Sequence, residues 1–170
     1  MAVEKPGLYV VMGVAGSGKS TIGASLARAL GIPFVEGDEY HPAENVRRMS
    51  LGIPLTDADR MPWLRALGAR LRQAREAGTG LVLSCSALKR AYRDTLRDEA
   101  GELQFVFLKG APELIAGRLA GRSGHFMPAS LLESQFAILE EPAPNERAWV
   151  CDIRQPIEEL VAALVALAKA

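Results

Sequence analysis

The residues best equipped for chemistry stand in one short string, Gly13-Val14-Ala15-Gly16-Ser17-Gly18-Lys19-Ser20. It satisfies G-x-x-x-x-G-K-[ST] at every fixed position. Glycines let backbone N–H groups turn inward around phosphate oxygens, and a helix starting just after them adds partial positive charge. Lys19 can reach β- and γ-phosphates, and the Ser20 hydroxyl suits Mg²⁺. The string therefore implies a bound nucleoside triphosphate, held from Gly13 to Thr21. Its flanks support this. Leu8-Tyr9-Val10-Val11-Met12 reads as a buried parallel strand, and Thr21 to Leu30 reads as a helix.

A second candidate is Asp38, which closes a short predicted strand, Phe34-Val35-Glu36-Gly37-Asp38. In open α/β sheets the ligand crevice lies outside the carboxyl ends of the strands, which brings Asp38 toward the phosphate loop. There it could orient a hydroxyl, accept its proton or complete a metal shell, directly or through water. The next strand, Leu81 to Cys85, ends in Leu83-Ser84-Cys85-Ser86 and lacks the acidic residue usual at that position. Asp38 is thus the candidate for the second metal-shell group. Arg118 and Arg122 lie four apart on one helix face, just before Ser123-Gly124-His125-Phe126-Met127-Pro128 breaks the pattern. Residues 118–130 read as a lid, whose arginines can close over a transferring phosphoryl group.

These groups need a scaffold. Further strands are expected at 103–108 and 148–152. Helices are expected at 43–49, from Asp59 as N-cap, from Ser86, at 111–119, at 130–139 and at the end of the chain. Strands alternating with helices argue a single doubly wound α/β domain over residues 1–170, with five parallel strands and helices on both faces. The chain has 170 residues, enough for one substantial core. Twenty basic and 20 acidic residues cancel to zero net charge, so nothing global favours nucleic acid or an anionic membrane. No apolar run is long enough to span a membrane, and Met1 to Gly7 leaves no room for a signal peptide. Cys85 and Cys151 read as free, buried thiols in a reducing, cytoplasmic compartment.

Several segments together resemble the gluconokinase family. They are Gly37-Asp38-Glu39-Tyr40-His41-Pro42, Gly52 to Arg60, Pro62-Trp63-Leu64, Cys85 to Asp94, Phe107 to Gly110, Gly124-His125-Phe126 and Leu139 to Pro142. Each is weak alone; their order and spacing are distinctive from about Leu8 to Glu159. The resemblance implies the P-loop kinase fold of nucleoside monophosphate and shikimate kinases, with sheet order 2-3-1-4-5. It also implies transfer of the γ-phosphoryl of ATP, with Mg²⁺, to the 6-hydroxyl of D-gluconate, and it suggests a homodimer. Lys19, Asp38 and Arg122 are then the catalytic candidates. His41 and His125 fall near the sugar acid. Gln155 and Pro156, in the loop after the last strand, fall on the adenine side, and Arg118 is a further nucleotide-binding candidate. Coarse topology makes Arg47, Lys89 and Arg93 the cations to meet the acceptor carboxylate. Lys89 and Arg93 share a helix face at i, i+4, and the planar fork of Arg93 supplies direction.

Other readings compete. Shikimate kinases carry Asp-x-Asp after the second strand, which Asp38-Glu39-Tyr40 does not match. A nucleotide kinase would need a base pocket that no motif marks. Asp98-Glu99-Ala100-Gly101 fits the D-x-x-G of GTP switches, but no Asn-Lys-x-Asp accompanies it. A non-catalytic nucleotide-binding module would differ from a kinase only in turnover.

Overall fold

A computed structural model describes residues 6–121 and 129–170. Its centre is strand β1 (Leu8–Met12), buried along its whole length. Alternate residues face opposite sides: Leu8, Val10 and Met12 enter one core cluster, Tyr9 and Val11 the other. Burial on both faces explains why the run is continuously apolar. Around it lie β2 (Phe34–Glu36), β3 (Leu81–Ser84), β4 (Gln104–Lys109) and β5 (Ala148–Asp152). All pairings are parallel, in the order β2-β3-β1-β4-β5. The expected fold and strand order are the observed ones.

One face is covered by α1 (Lys19–Leu30) and α7 (Ile157–Lys169), through Ile22, Leu26, Leu160 and Leu164. The other is covered by α3 (Asp57–Ala77) and α4 (Arg90–Ala100), through Trp63, Leu64, Leu67, Leu71, Tyr92 and Leu96. A 3₁₀ turn (Gly37–Tyr40) and α2 (Ala43–Ser50) connect β2 to α3. Helices α5 (Pro112–Ala120) and α6 (Ala129–Ile138) stand between β4 and β5.

Three boundaries differ from the sequence reading. The N-cap of α3 is Thr56, not Asp59. Asp59 is the third helical residue of a capping box: Thr56 N donates to its carboxylate, and its own N donates to Thr56 Oγ1. Pro62 consequently lies beyond the first turn, inside the helix. Helix α4 begins at Arg90, so Ser86–Lys89 is a loop. Asp38 lies two residues past β2, in the 3₁₀ turn. No helix among the described residues is long and apolar enough to cross a membrane.

Candidate active site

The phosphate loop leaves β1 at Gly13 and enters α1 at Lys19. Gly13 N donates to Ser86 O at 3.2 Å, and Ser17 N to Val14 O at 3.2 Å. Gly16 sits at φ 81° with Leu119 against its α-carbon, so both backbone angle and space call for glycine. Lys19 Nζ donates to Gly13 O at 3.1 Å and Val14 O at 3.0 Å, folding the ammonium back over the loop. Ser20 opens the helix's first turn beside it. Ala15 N donates to Gln135 Oε1 on α6 at 2.7 Å. Gln135 therefore fills one donor of the loop, a contact no sequence motif marked.

Ser20 Oγ donates to Glu36 Oε2, and Ser84 Oγ to Glu36 Oε1 at 2.6 Å. Ser84 Oγ in turn accepts from Gly37 N at 3.1 Å. The carboxylate touching Ser20 is thus Glu36 at the end of β2, not Asp38. Gly37 is required beside it, because a Cβ there would collide with the Ser84 carbonyl. The donors around Ser20 are a hydroxyl and a carboxylate, hard oxygens of the kind Mg²⁺ prefers. The sequence did hold a signal: Glu36 stands two residues before Asp38 at a strand end, next to a β3 terminus with no acid of its own.

A cleft of about 420 Å³ opens in front of the loop. It is lined by Gly16, Gly18, Lys19, Ser20 and Thr21 from the phosphate loop and α1, and by Asp38, His41, Arg60 and Trp63 from the segment between β2 and α3 and from α3 itself. Asp38 offers its carboxylate with no hydrogen-bond partner among the described residues. His41 lies flat on Trp63, with ring centroids 4.0 Å apart. Trp63 Nε1 is anchored on Gly37 O at 2.8 Å. Asn45 Nδ2 donates to Asp59 O at 2.9 Å and faces His41 Nδ1 at 3.3 Å. An amide nitrogen can only donate, so Nδ1 accepts and Nε2 carries the proton. Burial lowers the His41 pKa to about 4, against the opposing pull of Asp38 and with help from Arg60. The imidazole is neutral at physiological pH.

The three cations expected at the acceptor do not line this cleft. Arg93 is the clearest correction. It is buried to 1% exposure, and its guanidinium forks onto Glu146 at 2.7 and 3.0 Å while donating to Ala87 O at 2.8 Å. Arg97 joins the same carboxylate at 2.8 Å. Burial alone would raise the Glu146 pKa, but Arg93 and Arg97 hold it down at about 2. Lys89 is the N-cap of α4 and pairs with Asp57 at 3.1 Å. Arg47 points outward to Glu44. Besides Lys19, the cation that lines the cleft among the described residues is Arg60, one residue past the capping box of α3.

On the far side, Arg118 Nη2 donates to Ile153 O at 2.6 Å, joining α5 to the loop that holds Gln155 and Pro156. Gln155 N closes that loop on Asp152 O, and Pro156 caps α7. Arg122 and His125 lie outside the described residues.

This arrangement has relatives. A family model described as an AAA domain matches residues 8–142. The gluconokinase of Gluconobacter oxydans (strain 621H) is 53% identical over 142 residues, covering 84% of this chain and 80% of that protein. The thermoresistant gluconokinase of Escherichia coli (strain K12) is 42% identical over 163 residues, covering 95% of this chain and 93% of that protein. The chain belongs to the gluconokinase family. A solved structure of a gluconokinase from Sinorhizobium meliloti 1021, 51% identical, superposes with a TM-score of 0.88 over 98% of this chain and 94% of that one. The segments that carried the gluconokinase resemblance include those from Gly37 to Leu64, which bring Asp38, His41, Arg60 and Trp63 to the cleft. Its two free cysteines, Cys85 and Cys151, are both buried. Burial raises their pKa values to about 12 and about 11, so both are neutral thiols.

Proposed function

We propose that this protein transfers the γ-phosphoryl group of ATP to the 6-hydroxyl of D-gluconate, giving 6-phospho-D-gluconate. The observation that carries the reading is the continuity of one cleft, which Lys19 and Ser20 line together with Asp38 and His41. A γ-phosphoryl cradled by the loop then faces a sugar hydroxyl held beside Asp38. Phosphoryl transfer needs positioning and charge neutralisation more than covalent help. Gly13 to Thr21 hold the phosphates, with Lys19 moving off the Gly13 and Val14 carbonyls onto phosphate oxygens. A Mg²⁺ held by Ser20 and Glu36 would neutralise charge on the β- and γ-phosphates. Asp38 orients the attacking hydroxyl and accepts its proton as the bond forms. Neutral His41 donates from Nε2 to an acceptor hydroxyl. Arg118 and the 153–156 loop flank the adenine. Arg122 is assigned to the transferring phosphoryl and His125 to the acceptor by resemblance alone. Supply of ATP and the buried thiols fit a cytoplasmic enzyme.

The test is ADP release across a panel of sugar acids and neutral sugars, with the product identified by its phosphorylated carbon. The expected result is turnover with gluconate, yielding the 6-phosphate. Turnover confined to another acceptor, or nucleotide binding without turnover, would replace this reading.

A further inference from the structure

Gluconate carries its charge at one end of an open chain and the reacting hydroxyl at the other. A cleft that sets this register needs a cation far from the phosphate loop. Among the described residues, two cations line the cleft, Lys19 and Arg60. Lys19 belongs to the phosphates, which leaves Arg60.

The surroundings of Arg60 hold it in place without neutralising it. Its Nη1 donates to Leu55 O at 2.6 Å and to the Tyr92 hydroxyl at 3.0 Å. Its guanidinium carbon lies 5.4 Å from the centroid of the Tyr92 ring. The Tyr92 hydroxyl donates to Asp57 Oδ1, so its oxygen lone pairs are turned to Arg60. Asp57 also receives Lys89 Nζ at 3.1 Å. The nearby acid is thereby taken by Lys89 and Tyr92, and Arg60 forms no ion pair among the described residues. Asp59, one residue before it, is likewise engaged, by Arg48 at 3.2 Å. A half-buried guanidinium fixed on one nitrogen, with its other edge unmatched, is suited to a planar carboxylate.

We infer that Arg60 is the specificity-determining residue that grips the carboxylate of the acceptor, and that Tyr92, Asp57 and Lys89 position it. This rests on the gluconate reading above. It replaces Arg93, whose charge is spent on Glu146, and it gives Lys89 an indirect role. The acceptor would lie between Arg60 and Asp38, along the His41–Trp63 stack.

The experiment compares gluconate with its uncharged amide, D-gluconamide, which keeps every hydroxyl. In the parent enzyme kcat/KM should favour gluconate strongly. Arg60→Gln should lower kcat/KM for gluconate by about 10- to 150-fold, the range expected for one lost bond to a charged group. It should lower kcat/KM for gluconamide several-fold less than for gluconate, so the preference collapses. KM for ATP should stay within about twofold, since the phosphates are assigned to Lys19 and the loop rather than to Arg60. Arg60→Lys should recover part of the preference, and Tyr92→Phe should erode it less than Arg60→Gln. An equal fall on both acceptors would make Arg60 merely structural and overturn the inference. So would an intact preference in Arg60→Gln. If Arg60→Gln does not fold, the Arg60→Lys and Tyr92→Phe preferences decide: parental ratios in both overturn the proposal. A parent enzyme with no gluconate turnover would instead remove the functional reading beneath it.

Discussion

The two ends of the cleft are built on different physical terms. At the phosphate end, recognition comes from backbone: glycines, helix N-terminus and one lysine, all within eight consecutive residues. At the end proposed for the acceptor it would come from side chains of the 3₁₀ turn, its flank and α3, of which His41 and Arg60 are each held by another side chain. Trp63 holds His41, Asn45 selects its tautomer, and Tyr92 sets Arg60. Backbone recognition leaves a contiguous sequence signature. Recognition by supported side chains scatters its residues, and the support matters as much as the contact.

Substitutions can separate the two ends. The largest effect on turnover is expected for Lys19→Ala, a fall in kcat on the order of 10³-fold or more, by comparison with loss of other charge-stabilising donors. A folded variant with parental kcat would break the phosphate-end assignment. Next comes the buried pair that holds the Ser86–Lys89 loop, through the Ala87 and Leu88 carbonyls. Arg93→Ala leaves the buried Glu146 carboxylate with Arg97 alone and should cost about 3 kcal/mol of stability. Arg93→Met combined with Glu146→Leu should be much milder than the single change, as read by thermal melts. Similar melting points for both variants would show that the pair is not acting as a buried ion pair.

Asp38→Asn should lower kcat by about 10²-fold with little change in ATP affinity or melting temperature. A change in melting temperature alone would make Asp38 a turn residue. Glu36→Gln should weaken the Mg²⁺ dependence of activity by about 10- to 100-fold, judged from the metal concentration at half-maximal rate. An unchanged metal titration would return the role to Asp38.

The smallest effect is a pH dependence. His41 has a folded pKa of about 4 against an ordinary 6.5, so the unfolded chain binds more protons between those values. Stability therefore falls as pH drops from 6.5 toward 4. Glu146, at about 2 against 4.5, contributes stability that is complete above 4.5 and lost toward 2. Melts across pH should show a shallow acid limb that steepens below about 4.5. His41→Asn should flatten only the upper part; an unaltered upper limb in that variant would mean His41 is not buried neutral.

The phosphate loop, the alternation of strands and helices and the helix faces were legible because periodicity and glycine spacing encode them locally; the sheet order came through the family resemblance. The approach of Asp38 to the cleft was legible from its place just after a strand end, and that of His41 through resemblance. Arg93 misled because coarse topology places an arginine near a crevice without saying which way it points. Its partner, Glu146, lies 53 residues away with no local pattern to announce it. Arg60 was hidden in plain view directly after the capping segment Thr56-Asp57-Ala58-Asp59, where charge reads as helix chemistry. Glu36 was passed over in favour of Asp38 because the strand ends earlier than its apolar run suggested.

The buried Arg93 has one further consequence. Ala87 adopts φ 44°, an unusual angle for a residue with a side chain, and its carbonyl accepts from Arg93. Loop, helix and the 143–146 segment thus converge on a single planar cation, as ligands converge on a bound ion. The guanidinium is a structural cofactor that happens to be covalently attached. Such a site remains chemically addressable when the attachment is cut. Millimolar guanidinium, far below denaturing levels, should selectively raise the melting temperature of Arg93→Ala, while leaving the parent protein unmoved.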